Sequence, residues 1–216
     1  MQKYIAVMML ALGVTVLSSR HANAATLTFE NPGLLIFQQT ENSPCVIGEP
    51  SCDNPAGFGV TIIPTGPSGE NYDLDSPDYT VAQIEAIVGS SFFVGIDVNT
   101  AAGQDIEVLD FFAMYVNDVL IDSFTGPEAF ALTNNGNGFS DALLRNFTSL
   151  SGFLDTDVVH FQAIVSGATD GREQFFLISS GEQPPPPPVI PEPGSLMLLG
   201  SGLLIGARRL RQRFTA

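Results

Sequence analysis

Three aspartates, Asp73, Asp75 and Asp78, fall close together among Asn71, Tyr72, Ser76 and Pro77. Clustered carboxylate oxygens on a loop are the hard donors that Ca²⁺ takes, although the following glycine and distant glutamate of an EF-hand loop are missing. The same composition also makes a solvated acidic turn, because Asp and Asn populate turns readily. Asp97 and Asn99 share one side of an extended run, and Asp105, Glu107 and Asp110 follow. These residues read as the polar face of a half-exposed strand in preference to a cation site, and Asp155 and Asp157 read the same way.

Nucleophilic or acid–base catalysis needs a nucleophile, a base and a group that orients the base, or paired carboxylates in a cleft. The only histidine beyond the first 24 residues is His160, set in an apolar alternation where a structural histidine belongs. No G-x-S-x-G, H-E-x-x-H, phosphate loop or dinucleotide fingerprint is present. The expectation is a protein that is not an enzyme and needs no cofactor, Ca²⁺ at Asp73, Asp75 and Asp78 being the exception to weigh. A polysaccharide-acting enzyme built on paired carboxylates is the alternative.

The two ends carry signals of a different kind. Lys3 precedes an apolar run over residues 4–17, and Ala22-Asn23-Ala24 supplies small residues before Ala25. This is the pattern of a secretory signal peptide spanning residues 1–24, with cleavage between Ala24 and Ala25. The apolar run is too short for a spanning helix, which takes about 20 residues. In such an exported chain, Cys45 and Cys52, set in a stretch rich in Pro, Ser, Asn and Gly, are expected to form a disulfide closing a small surface loop. Two thiols and one histidine are too few to specify zinc.

At the other end the tract 184–188 is all proline, an extended spacer within a linker over residues 183–190. Pro191-Glu192-Pro193 follows, then an apolar segment over 196–207, then Arg208, Arg209, Arg211 and Arg213. That order, over 191–213, closely resembles the PEP-CTERM sorting signal. The resemblance implies a substrate of exosortase, a membrane-embedded cysteine protease-transpeptidase, cut near Pro191-Glu192-Pro193 and passed to the envelope or extracellular matrix. The physical pattern agrees: the apolar segment stops transfer as a short transmembrane helix, and the arginines hold the tail on the cytoplasmic side.

Of the 8 basic residues only Arg145 and Arg172 lie between the two ends, whereas all of the 23 acidic residues except Glu192 do. So acidic a middle repels nucleic-acid phosphates and anionic lipid heads, which argues against both as partners. It suits divalent cations, cationic partners or solubility outside the cell.

Residues 25–182 read as one all-β domain. Period-2 or β-rich runs occupy 27–30, 34–38, 59–64, 92–99, 106–116, 119–124, 129–133, 158–166 and 174–179. Asn117-Asp118 is a hairpin turn and 168–172 the turn of a second. Residues 80–88 predict a helix, with Val81, Ile84, Ile87 and Val88 at helical spacing behind caps at Asp78 and Thr80. Residues 140–147 fit a helical turn or an irregular strand equally. The sum is an antiparallel β-sandwich, jelly-roll or immunoglobulin-like. Its expected core is Phe92, Val94, Ile96, Phe112, Met114, Val116, Phe161, Phe175 and Leu177. With no tryptophan in the chain, Tyr72, Tyr79 and Tyr115 are the candidate sugar-stacking rings.

The function expected is that of an exported surface or matrix protein. Its partners are the secretion machinery and an exosortase-type enzyme, its precursor is anchored in the inner membrane, and its sandwich associates with exopolysaccharide. The alternative binding mode is that of a Ca²⁺-dependent lectin-like module.

Overall fold

A computed structural model describes residues 24–31, 36–64, 70–99, 107–130, 135–168 and 171–184. The chain divides into two units, Met1–Gln183 and Pro184–Ala216. The described β-module belongs to the first. The expected signal peptide over 1–24, apart from Ala24, and the expected sorting segment over 191–213 with its apolar run 196–207 lie outside the described residues. Among the described residues no helix is long and apolar enough to cross a membrane.

In chain order the strands are β1 (Ala25–Thr26), β2 (Thr28–Glu30), β3 (Cys45–Gly48), β4 (Thr61–Ile62), β5 (Glu70–Asp75) and β6 (Tyr79–Thr80). Helix α1 (Val81–Val88) comes next, then β7 (Phe92–Asp97), β8 (Val108–Val116), β9 (Val119–Ala129), β10 (Ala142–Arg145), β11 (Val158–Ala168) and β12 (Gln174–Ser179). They form two sheets. The first runs β1-β9-β8-β11-β5, with β6 also on β11; the second runs β2-β10-β7-β12-β3-β4.

Both sheets are mixed, where an antiparallel sandwich was expected. The parallel pairings come from β1 on β9 and β4 on β3, and each involves two residues. The eight longer strands β3, β5 and β7–β12 pair only antiparallel with one another. They lie as β3-β12-β7-β10 in one sheet and β5-β11-β8-β9 in the other. Edge pieces of two residues need no crossover helix, so they add on parallel without the βαβ unit that long parallel strands require.

The inner faces meet in one core. Val94 and Ile96 of β7 and Phe175 and Leu177 of β12 pack against Phe112 and Met114 of β8 and Phe161 of β11. All nine expected core positions are buried. The Phe112 ring lies 5.5 Å from that of Phe175 and 6.1 Å from that of Phe161.

The two outer faces differ. Strand β11 alternates buried and half-buried residues as a strand with one wet face must. Strands β3, β7 and β12 are buried almost throughout, because a second small core of Phe37, Cys45, Phe93, Leu143, Phe176 and Ile178 covers the outer side of their sheet. Cys52 and Val60 pack against it, so chain between β2 and β4 forms its lid. The Cys45–Cys52 disulfide fastens that segment. Gly95 is needed beneath it, since a Cβ there would lie 2.6 Å from Phe176 Cζ.

Local signals explain the joints. Asn117 and Asp118 both take positive φ, 50° and 60°, which matches the right-handed twist of the β8–β9 hairpin. Thr80 caps α1, its hydroxyl accepting from the Gln83 N–H while the Gln83 side chain accepts from the Thr80 N–H; Asp78 takes no part in this cap. Val81, Ile84 and Val88 of the helix enter the core. The segment left open as helix or strand is strand β10.

Candidate functional site

The expected acidic loop is a strand. Residues 70–75 form β5, which pairs with β11 and sets Asp75 opposite Gln162 and Asp73 opposite Ile164. Tyr72 and Leu74 pack against the core, while Asp73 and Asp75 point outward and are exposed. Asp78, also exposed, follows in the connector to β6. The loop expectation fails because the alternation Asn71, Asp73, Asp75 against Tyr72, Leu74 is itself a strand signal. Among the described residues no three His, Cys, Asp or Glu side chains converge to hold a metal.

These aspartates instead join a polar row across the outer face of the first sheet. His160 and Tyr115 stand opposite each other on β11 and β8, and their rings stack 4.7 Å apart and 11° from parallel. The Tyr115 hydroxyl donates to Gln162 Oε1 at 3.0 Å, and Gln162 Nε2 donates to Asp73 Oδ1 at 2.8 Å. Asp78 lies 4.0 Å from His160 Nδ1. Burial, then the charges of Asp75 and Asp73, push the Tyr115 phenol above its ordinary range. Of the other two candidate rings, Tyr79 is buried and donates to the Gly59 carbonyl, and Tyr72 is committed to Glu173.

A second polar cluster sits at one end of the other sheet, and here the expectation of a half-exposed polar face is overturned. Asp97, directly opposite Gln174 in the β7–β12 pair, is fully buried, because the lid over Phe93 and Phe176 covers its face too. Asp97 Oδ2 accepts from the Gly138 N–H at 2.5 Å, while no donor among the described residues reaches Oδ1. Gln174 Nε2 donates to Glu49 Oε1 and to Asn137 Oδ1, both at 2.8 Å. Asp141 is spent on the backbone, accepting from Val98 N and Asn135 N. Burial raises the Asp97 carboxyl to about 7, against the pull of the Gly138 N–H; the charges of Asp141 and Glu49 add to the rise. Asn99 donates to the Arg172 carbonyl.

Glu107, expected on the same polar face, is buried as well and hydrogen-bonds to the buried Glu173. Burial raises Glu173 to about 8, and Glu107 adds to the rise. Asp110 lies half-buried on β8; Asp105 is outside the described residues. Asp157 is structural, accepting from Asn117 Nδ2 and Leu154 N, which hold its carboxyl below the usual range. The Asp155 carbonyl accepts from the Ala82 N–H.

Sequence reasoning missed Glu49, Glu173 and Gln174. A readable hint was the pair Glu173-Gln174 abutting the apolar run that follows it, where polar side chains are drawn in beside the core. Cys45 and Cys52 are bonded to each other, and Gln174 Oε1 lies 3.7 Å from both sulfurs. Of the expected cleavage residues, Ala24 precedes β1 and Ala25 begins it, while Ala22 lies outside the described residues, as do Pro191, Glu192, Pro193, Arg208, Arg209 and Arg211.

The family model for the PEP-CTERM protein-sorting motif matches residues 189–212. No curated protein and no solved structure matches the chain. The C-terminal segment is therefore a PEP-CTERM sorting motif, which implies export and processing at the membrane by an exosortase-type enzyme.

Proposed function

We propose that the chain is exported behind a leader cut at Ala24–Ala25, processed at Pro191-Glu192-Pro193, and delivered to the cell surface or extracellular matrix, where its β-module binds exopolysaccharide without transforming it. The sorting motif at 189–212 carries the processing half of this reading. The outer-face row of Tyr115, His160, Gln162 and Asp73 supports the binding half, because it gathers two rings and a chain of hydrogen-bonding groups on one outward face of the sheet. The strand order of the eight longer strands is that of a jelly roll, an architecture shared with lectin domains. We read the module as a binder and not an enzyme; the carboxyl pair Glu107 and Glu173 is buried where no glycan reaches.

Intact mass of the protein recovered from its own host tests the processing. A species beginning at Ala25 and ending near Pro193 supports it; a released species retaining Arg208 to Ala216 overturns it. Co-sedimentation of the processed protein with the host's own polysaccharide tests the binding, and its absence leaves a sorted protein with some other role on the surface.

A further inference from the structure

We infer that the end of the second sheet is a Ca²⁺ site, formed by Asp97 Oδ1 with oxygens of Glu49 and Asn137, and distinct from the outward aspartates of β5. Asp97 Oδ1 is a carboxylate oxygen that no donor among the described residues reaches, on a side chain with 0 % exposure. A buried anionic oxygen left so is costly, and it must be neutralised by a proton or a cation.

The surroundings favour a cation. Gln174, opposite Asp97, holds Glu49 Oε1 and Asn137 Oδ1 through one nitrogen. The other Asp97 oxygen is tied to Gly138, the residue after Asn137. The end of β3, the end of β7 and the loop carrying Asn137 thus bring oxygen acceptors to one end of the sheet, Glu49 Oε1 accepting from Ser51 Oγ as well, and a cation serves several oxygens at once where a proton serves two.

The donor set also selects the ion. Two carboxylates and a neutral amide oxygen are hard ligands, and among the described residues no third acid or imidazole joins them; solvent would fill the rest of the shell. Asp141 contributes field alone, since backbone N–H groups occupy both its oxygens. So low a charge count matches the submillimolar to millimolar Ca²⁺ affinity of extracellular modules. Asn137 is exposed, which gives the ion a way in.

The test is thermal unfolding of the full chain, stripped with EDTA and titrated with Ca²⁺ at constant ionic strength. A saturable rise in midpoint is expected, lost in Asp97→Asn and weakened about tenfold in affinity in Asn137→Ala. The double variant Asp73→Asn, Asp75→Asn should keep the full response. Should Asp97→Asn fail to fold, Glu49→Gln, at a less buried position, replaces it. No saturable response, a response unchanged in the Asp97 or Glu49 variant, or one abolished in the β5 double variant overturns the assignment. None of these outcomes depends on sorting or on glycan binding.

Discussion

Tyr72 donates its phenolic hydrogen to Glu173 Oε2 at 2.7 Å, reaching from β5 to the start of β12. The same glutamate hydrogen-bonds to Glu107. Two buried carboxyls in contact cannot both ionise cheaply, so the native state keeps a proton there.

That proton sets the pH response. Glu173 titrates at about 8 in the folded protein against 4.5 ordinarily, and in the Ca²⁺-free protein Asp97 does so at about 7 against 3.8. Between the lower and upper values the folded chain holds protons that the unfolded chain has released. Stability is therefore full below the lower values, falls as pH rises through the window, and levels off above about 8. Urea midpoints across this range should decline by the equivalent of a few kcal/mol, and Glu173→Gln should flatten much of the slope. A midpoint that rises from acid to neutral pH would contradict the buried pair.

Reducing the Cys45–Cys52 bond, which spans 7 positions of sequence, should cost about 2 kcal/mol by releasing loop-closure entropy to the unfolded chain. Denaturation midpoints with and without reductant measure it. The damage should concentrate on the lid, seen as faster amide exchange around Phe37 and Phe176.

Gly95→Ala should destabilise by about 1–3 kcal/mol, as overpacking does. Its new methyl would meet Phe176 at 2.6 Å and Ile178 at 2.8 Å, and both side chains are fully buried. Calorimetry that showed no loss would mean the small core is loosely packed.

On the opposite sheet, Tyr115→Ala and Gln162→Ala should leave the unfolding midpoint nearly unchanged and weaken polysaccharide retention by more than about 1 kcal/mol each. Equal retention by wild type and both variants would remove the outer face from the binding reading.

Much of the architecture was legible where one face is wet and the other dry. Strand β11 announced itself by alternation, α1 by the helical spacing of Val81, Ile84, Ile87 and Val88 behind Thr80, and the β8–β9 turn by Asn117-Asp118. Strand β3 was missed because it is four residues long between Pro44 and Glu49 and buried on both sides, so it has no alternation to read. Strand β9 was read as ending at Phe124, yet it continues to Ala129 through Gly126 and a cis Pro127. Gly126 passes so close to the Leu109 carbonyl that no Cβ fits, a tertiary demand that looks like a turn in one dimension. The cluster around Asp97 was misplaced for a related reason: nothing local reveals that a distant lid will cover that strand's outer face. The sorting motif was legible because it is written in linear order, as the match over residues 189–212 shows.

Strand β12 is the last strand of the module, yet it lies inside its sheet between β7 and β3. A chain delivered N-terminus first cannot complete that sheet until residue 179 has arrived, a few positions before the proline tract. Until then β3 and β7 wait with open edges, and half the core has nothing to close on. Maturation is thus built to be late and abrupt, with the final strand acting as a keystone. A truncation that removes β12 should leave not a smaller module but none, and an emerging chain must be shielded from its neighbours for nearly its whole passage.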